Sequence, residues 1–175
     1  MPNICDYAMG IQGKQENIHK LHTIMSKEDY TSGPHLFRVF DADLIQDDED
    51  FGEIVGSCAW SVSVCMLEES SAAYIHGDDA SSNGTSLERL SKDLELKIEI
   101  YSDEPGVGFQ EHYVIDNGEI TVKEIEDVEY YWTDEFDTVE EFNKAYNLNV
   151  SKVTYENEDQ IQIGGYEEWS YDHII

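Results

Sequence analysis

His19 and His22 stand three apart, a spacing that puts two imidazoles on one side of a helix and within reach of a single metal ion. No HExxH accompanies them, and His22 adjoins the apolar Leu21 and Met25, so the pair reads as structural and no metal is assigned. Asp47, Asp48, Glu49, Asp50 and Glu53 bunch as hard-cation ligands do. A calcium loop starting at Asp47 would put Gly52 sixth, yet it puts Phe51 fifth and Cys58 twelfth, where a bidentate acid is required. Gly106-Val107-Gly108 resembles the opening of a nucleotide loop, but Glu111 takes the third glycine's place and a strand follows where a helix is needed. A turn with positive φ is the better reading. Cys5, Cys58 and Cys65 are odd in number and lack a CxxC pair, which fits free buried thiols and neither a disulfide framework nor a nucleophile. With no GxSxG, P-loop or zinc pattern elsewhere, the sequence predicts no catalytic residue, no cofactor and no enzyme activity.

What the residues offer in quantity is charge. Lys and Arg number 10 against 39 Asp and Glu, a formal net charge of −29 at pH 7 over 175 residues. Such a chain has no basic surface for phosphate and no polybasic stretch for an anionic membrane, so direct contact with nucleic acid or membrane is not expected. Eight Lys against two Arg argues against salt adaptation, which typically sheds lysine. The densest feature is acidic and aromatic together: Glu124, Glu126, Asp127 and Glu129, then Tyr130, Tyr131 and Trp132, then Asp134, Glu135, Phe136 and Asp137. On a strand, Glu124 and Glu126 point one way while Ile125, Asp127 and Glu129 point the other. Carboxylates beside aromatic rings suit a basic groove on a protein, where they can stand in for phosphates. Duplex DNA carries on the order of one charge per 100 Å², roughly three times the density that 29 charges reach if spread evenly. Imitation therefore requires the acids to gather, and the segments 41–53, 124–141 and 156–172 could supply them. The partner-binding residues expected are Glu124, Glu126, Asp127, Glu129, Asp134, Glu135 and Asp137, with Asp47, Asp48, Glu49 and Asp50.

Several elements must hold these residues. With 40% apolar and 11% aromatic residues the chain can build a core. A strand is expected over residues 4–12, then a helix over 14–26 with Ile18, Leu21, Ile24 and Met25 on one side, then a short strand at 36–40. The acids of 41–50 read as a solvated loop. Residues 57–67, with Trp60, Val62, Val64 and Met66 alternating with Ala59, Ser61, Ser63 and Cys65, read as a half-buried strand, and 76–84 as a linker. Thr85 or Ser86 caps a helix to about Leu94, and Leu96, Ile98 and Ile100 mark the next strand. Asp116-Asn117-Gly118 joins two apolar runs, a strong hairpin signal. Beyond it lie a short helix capped by Thr138, with Phe142 and Tyr146 four apart, and a strand pair at 150–155 and 160–163. The order predicts an α+β fold, a ferredoxin-like split βαβ antiparallel sheet with an added hairpin and an acidic C-terminal extension. The expected division is residues 1–125 for the ferredoxin-like domain and 126–175 for the acidic, aromatic-rich extension packed on or beside it.

Met1-Pro2-Asn3 leading into Cys5, the run Tyr101-Ser102-Asp103-Glu104-Pro105-Gly106-Val107-Gly108-Phe109, then Asn117-Gly118-Glu119, together with Ala59-Trp60-Ser61, resemble the YubB-like, ferredoxin-fold proteins of phages and plasmids. The likeness covers residues 1–125. It implies a fold and a mobile-element origin, and it brings no catalytic residues. Joined to the charge, it implies a non-enzymatic inhibitor of anti-CRISPR type, resembling DNA, that acts in the cytoplasm of a bacterial host. Its partner would be a basic nucleic-acid-binding protein such as a defence nuclease. The alternative is an accessory interaction module of a mobile element with no inhibitory role. An exposed sheet edge would also allow pairing with a second copy.

Overall fold

Cys5, Tyr7, Met9 and Ile11 are buried along the first strand, β1 (Ile4–Gln12), because a strand turns every second side chain to the same face. The computed structural model describes residues 3–27, 32–70, 83–132, 138–147, 154–157 and 160–175. After β1 come α1 (Gln15–Met25), β2 (Val39–Asp47), β3 (Phe51–Ala59), α2 (Val62–Met66), α3 (Leu87–Asp93) and β4 (Lys97–Glu104). Then follow β5 (Phe109–Asp116), β6 (Glu119–Trp132), α4 (Val139–Tyr146), β7 (Thr154–Asn157) and β8 (Gln160–Gly164). The fold is α+β. Its strands form an antiparallel sheet in the order β2-β3-β1-β4-β5-β6-β8-β7. β6 pairs with β5 through Asp127 and with β8 from Val128 onward, so position 125/126 lies inside one continuous strand.

One face of the sheet carries the core. Ile18, Leu21 and Met25 of α1, Val62, Cys65 and Met66 of α2, and Leu87 and Leu90 of α3 pack there with Tyr7, Met9, Ile11, Ile98, Ile100, Tyr113 and Ile115. Local chemistry sets the helix starts. The Ser86 hydroxyl accepts from the Arg89 amide, Thr138 accepts from Glu141, and Ser61 accepts from Val64. The β5–β6 turn has Asn117 and Gly118 at φ 49° and 85°, the left-handed pair that a tight hairpin of this twist requires. In the turn after β4, Gly108 sits at φ 89°, and the Glu104 carboxylate accepts from the Gly106 and Val107 amides.

Three expectations are corrected. The strand expected at 57–67 ends at Ala59: the chain turns at Trp60, φ 64°, and Ser61 starts α2. Val62, Cys65 and Met66 stand at offsets of three and four as well as within an alternating run, and the capped turn selects the helical solution. The acids at 41–50 do not form a loop. β2 runs to Asp47 and only residues 48–50 turn, because an edge strand can bury Ala42 while leaving Asp41 and Asp43 in water. The strand expected at 36–40 accordingly begins at Val39. The linker expected at 76–84 lies outside the described residues except for Asn83 and Gly84, and Gly84 bridges to His35. The strand pair expected near the end is present as β7 and β8, with residues 150–153 outside the described set.

Candidate functional site

The sheet face opposite the helices holds the acids. Directly paired residues of neighbouring strands share a face, and the register strings Asp41, Ser57, Asp6, Asp103, Gln110 and Glu126 into one line across β2, β3, β1, β4, β5 and β6. Five strand spacings make this line about 24 Å long. The adjacent line on the same face is Asp43, Val55, Ala8, Tyr101, His112 and Glu124, and a third contains Glu53, Gly10 and Glu99. Leaving aside the fully buried Glu99, seven carboxylates share a patch of about 600 Å², on the order of one per 85 Å². The whole molecule, 39 carboxylates over 9719 Å², averages about one per 250 Å². The patch therefore reaches the charge density of a duplex, which the average does not.

Neutral donors hold two acids of this line. Ser57 donates to Asp41 at 2.8 Å, and the Tyr130 hydroxyl donates to Asp103 at 2.7 Å. Among the described residues no ion pair reaches Asp6, Asp41, Asp43, Asp103 or Glu126. Three acids off this line are matched by cations: Glu68 by Arg89 at 2.7 Å, Glu69 by Lys123 at 3.2 Å and Asp116 by Lys97 at 3.8 Å. Burial raises Asp103 above the usual carboxylate range. Hydrogen bonds from Tyr130 and Gln110 pull it back, and the Asp6 charge opposite pushes it further up.

Of the residues expected to meet a partner, Glu124 and Glu126 lie on this face. Asp127 and Glu129 project from the other side of β6, as the alternation predicts. Asp47 is held by the exposed His19 at 2.7 Å and by Gln15 at 3.1 Å, and the His19 hydrogen bond lowers its pKa below the usual value. Asp48, Glu49 and Asp50 form the β2–β3 turn; Asp48 and Asp50 line a groove of about 430 Å³ with Glu53, Phe51 and Tyr171. Asp134, Glu135 and Asp137 lie outside the described residues. His22 hydrogen-bonds the Ala42 carbonyl at 3.0 Å, so the two helix histidines serve separate contacts. All three thiols are buried, and hydrogen bonding of the Cys58 S–H to Cys5, then to Cys65, then burial push the Cys58 thiol up. Asp41 and Asp43 fall in the acidic segment 41–53 expected to contribute charge, whereas Asp6 and Asp103 are not among the expected residues, although each sits at an outward position of an alternating strand.

The last residues fold back over part of this face. Tyr171 lies on Gly10, where an added Cβ would meet the ring at 2.6 Å, and its hydroxyl donates to Glu53 at 2.9 Å. Tyr101 stacks on His112 at 4.2 Å and on Trp169 at 5.9 Å, with Tyr166 edge-on at 5.4 Å. Burial, then the Glu99 charge, pushes the Tyr101 phenol up to about 12. Beneath the tail the fully buried Glu99 takes His112 Nε2 at 2.8 Å and His173 Nδ1 at 2.7 Å on the same carboxylate oxygen, while its other oxygen accepts from the His173 amide at 2.9 Å. The other nitrogen of His112 meets Glu124 at 3.0 Å. These residues could hold a metal ion, and nothing in their sequence spacing announced it. Compared with protein-family models, curated proteins and solved structures, the chain has no match.

Proposed function

We propose that this protein is a non-enzymatic inhibitor of the DNA-mimic type, which binds the basic nucleic-acid-binding surface of another protein through the acidic face of its sheet. The observation that carries this reading is the line Asp41, Asp6, Asp103 and Glu126, which no ion pair reaches among the described residues and in which neutral hydroxyls orient Asp41 and Asp103. A rigid sheet holds such a line without the ordering cost that a flexible acidic loop would incur. The fold supporting it is read as a ferredoxin-like split βαβ unit: β2-β3-β1-β4 with antiparallel neighbours is the arrangement of that unit, extended by the β5–β6 hairpin and the C-terminal strands. The resemblance to YubB-like proteins favours a mobile-element origin, and with it a bacterial defence protein such as a nuclease as the partner.

The test is affinity capture from bacterial lysate with tagged protein. The wild type is compared with two triple variants, Asp6→Lys, Asp41→Lys and Glu126→Lys on the face, and Asp127→Lys, Glu129→Lys and Glu16→Lys off it. The expected result is a nucleic-acid-binding protein retained by the wild type and the second variant, lost from the first, and displaced by both salt and added duplex DNA. Equal retention by the two variants, or retention indifferent to DNA, rejects the reading.

A further inference from the structure

Glu99, His112 and His173 bring one carboxylate oxygen and two imidazole nitrogens within 4.8 Å of one another, from β4, β5 and the C-terminal tail. The geometry points to a binding site for a divalent transition metal of the zinc class, with Glu99 Oε1, His112 Nε2 and His173 Nδ1 as ligands. Two nitrogens and one oxygen form the donor set zinc accepts, at about 2.0–2.2 Å each, with a fourth position left for water or an incoming donor. The closest approaches here, 2.7 and 2.8 Å, need only open to about 3.3 Å for tetrahedral ligation. His173 can supply that movement because it is carried by the tail and its side chain is 48% exposed.

Two observations separate this cluster from an ordinary polar contact. His112 has its second nitrogen held by Glu124, and a carboxylate behind a ligating imidazole is the arrangement that fixes ring orientation and raises ligand basicity in metal sites. Glu99 is fully buried, and two imidazoles converge on one of its oxygens. A buried carboxylate requires compensation by positive charge. A divalent ion supplies it at the point where the three atoms meet, and leaves Glu99 Oε2 free to keep its bond from the His173 amide. The surrounding negative field concentrates cations at the entrance. Bound there, the ion ties the tail to the sheet and sets Tyr171 and Trp169 in place over Gly10 and Tyr101.

The experiment titrates the chelator-stripped, full-length protein with Zn²⁺ by calorimetry and with Co²⁺ by visible absorption. The wild type is compared with His173→Ala, Glu124→Gln and His19→Ala. Because His112 and Glu99 are buried, the half-exposed His173 is the ligand variant that leaves the core untouched. The expected result is one equivalent of tight Zn²⁺ and intense low-coordinate Co²⁺ bands in the wild type and in His19→Ala. Glu124→Gln should lose about 10–100-fold in affinity, and His173→Ala more than that. Zn²⁺ should also change Trp169 fluorescence, read against a Trp169→Phe blank, in the wild type and not in His173→Ala. No stoichiometric binding, binding unchanged in His173→Ala, or binding lost only in His19→Ala overturns the site.

Discussion

Asp6→Asn tests whether the acidic line is under electrostatic strain. Asp6 and Asp103 are directly paired across β1 and β4, which places their carboxylates about 5–6 Å apart. At that separation two like charges repel by about 0.7 kcal/mol in bulk water and about 3 kcal/mol at a surface-like dielectric constant of about 20. Asp6 is exposed, so the lower part of that range applies, and removing its charge should stabilise the fold by about 1 kcal/mol at low salt. For a chain of this size that raises Tm by about 2–4 °C. The sign with pH follows from Asp103. Its pKa is raised in the folded protein, so the native state holds this proton more tightly than the unfolded chain does, and the ionised pair opposes folding above that pKa. The gain from Asp6→Asn is therefore present at pH 7 and fades in acid as Asp103 takes up its proton. The assay is thermal melting of the wild type, Asp6→Asn and Asp127→Asn in low and high salt at pH 7 and in acid. Asp127 serves as control because it stands opposite Phe109. A destabilised Asp6→Asn, or a gain independent of salt, refutes the electrostatic account of this face.

Glu111 is 1% exposed and accepts from the Val62 and Ser63 amides, the Ser102 hydroxyl and the Tyr113 hydroxyl. Glu111→Ala should cost about 3 kcal/mol or more in urea denaturation by stranding these buried donors, and Glu111→Gln should cost less; a loss below about 1 kcal/mol would contradict the described contacts. Gly10→Ala should drive the Tyr171 ring off β1 and expose Trp169 to an added quencher, while an unchanged quenching curve would show that the tail does not rest there. In an alkaline absorbance titration, Tyr131, raised to about 12 first by its hydrogen bond to Glu129 and then by burial, should ionise well after ordinary tyrosines near 10. Glu129→Gln should bring that late step forward, and a titration curve identical to the wild type would remove the assigned cause.

Local signals carried most of the fold. The strand pattern of Tyr7, Met9 and Ile11, the spacing of Ile18, Leu21 and Met25, the Ser86 and Thr138 caps and the Asn117-Gly118 turn each act within a few residues, and each is present as the sequence predicts, although Ile4 is exposed and Cys5 takes the buried face. Errors arose where two solutions share one pattern. Val62 to Met66 satisfies a strand and a helix alike, and only the turn at Trp60 decides. The acids of β2 read as a loop because an edge strand exposes much of what a loop exposes. The candidate face was legible in part, through Glu124 and Glu126. Asp6 meets Asp103 only because β1 lies between β3 and β4, a tertiary fact with no local signature. Glu99 shows the same limit: it is the polar member of the alternation with Ile98 and Ile100, on the face that looks solvent-bound until the tail covers it.

Solubility alone is a poor account of where these acids sit. A solubilising charge works from any exposed position, and even spacing keeps self-repulsion lowest. Here Asp41, Asp6, Asp103 and Glu126 share one line, and Asp43 and Glu124 stand in the next, so the arrangement concentrates repulsion on one face, most of all between the directly paired Asp6 and Asp103. The hydrogen bonds around them deepen the contrast. Ser57 and Tyr130 fix the Asp41 and Asp103 carboxylates in place without removing their charge, whereas an ion pair such as Arg89 with Glu68 removes it. Orienting a carboxylate while leaving it uncancelled is useful when a cation arrives from outside the molecule. A basic surface supplies many such cations at once, and each pairing formed there relieves a repulsion already present in the free protein. In the proposed complex, stability given up within the sheet is thereby recovered, and this predicts that the face variants which melt highest bind weakest.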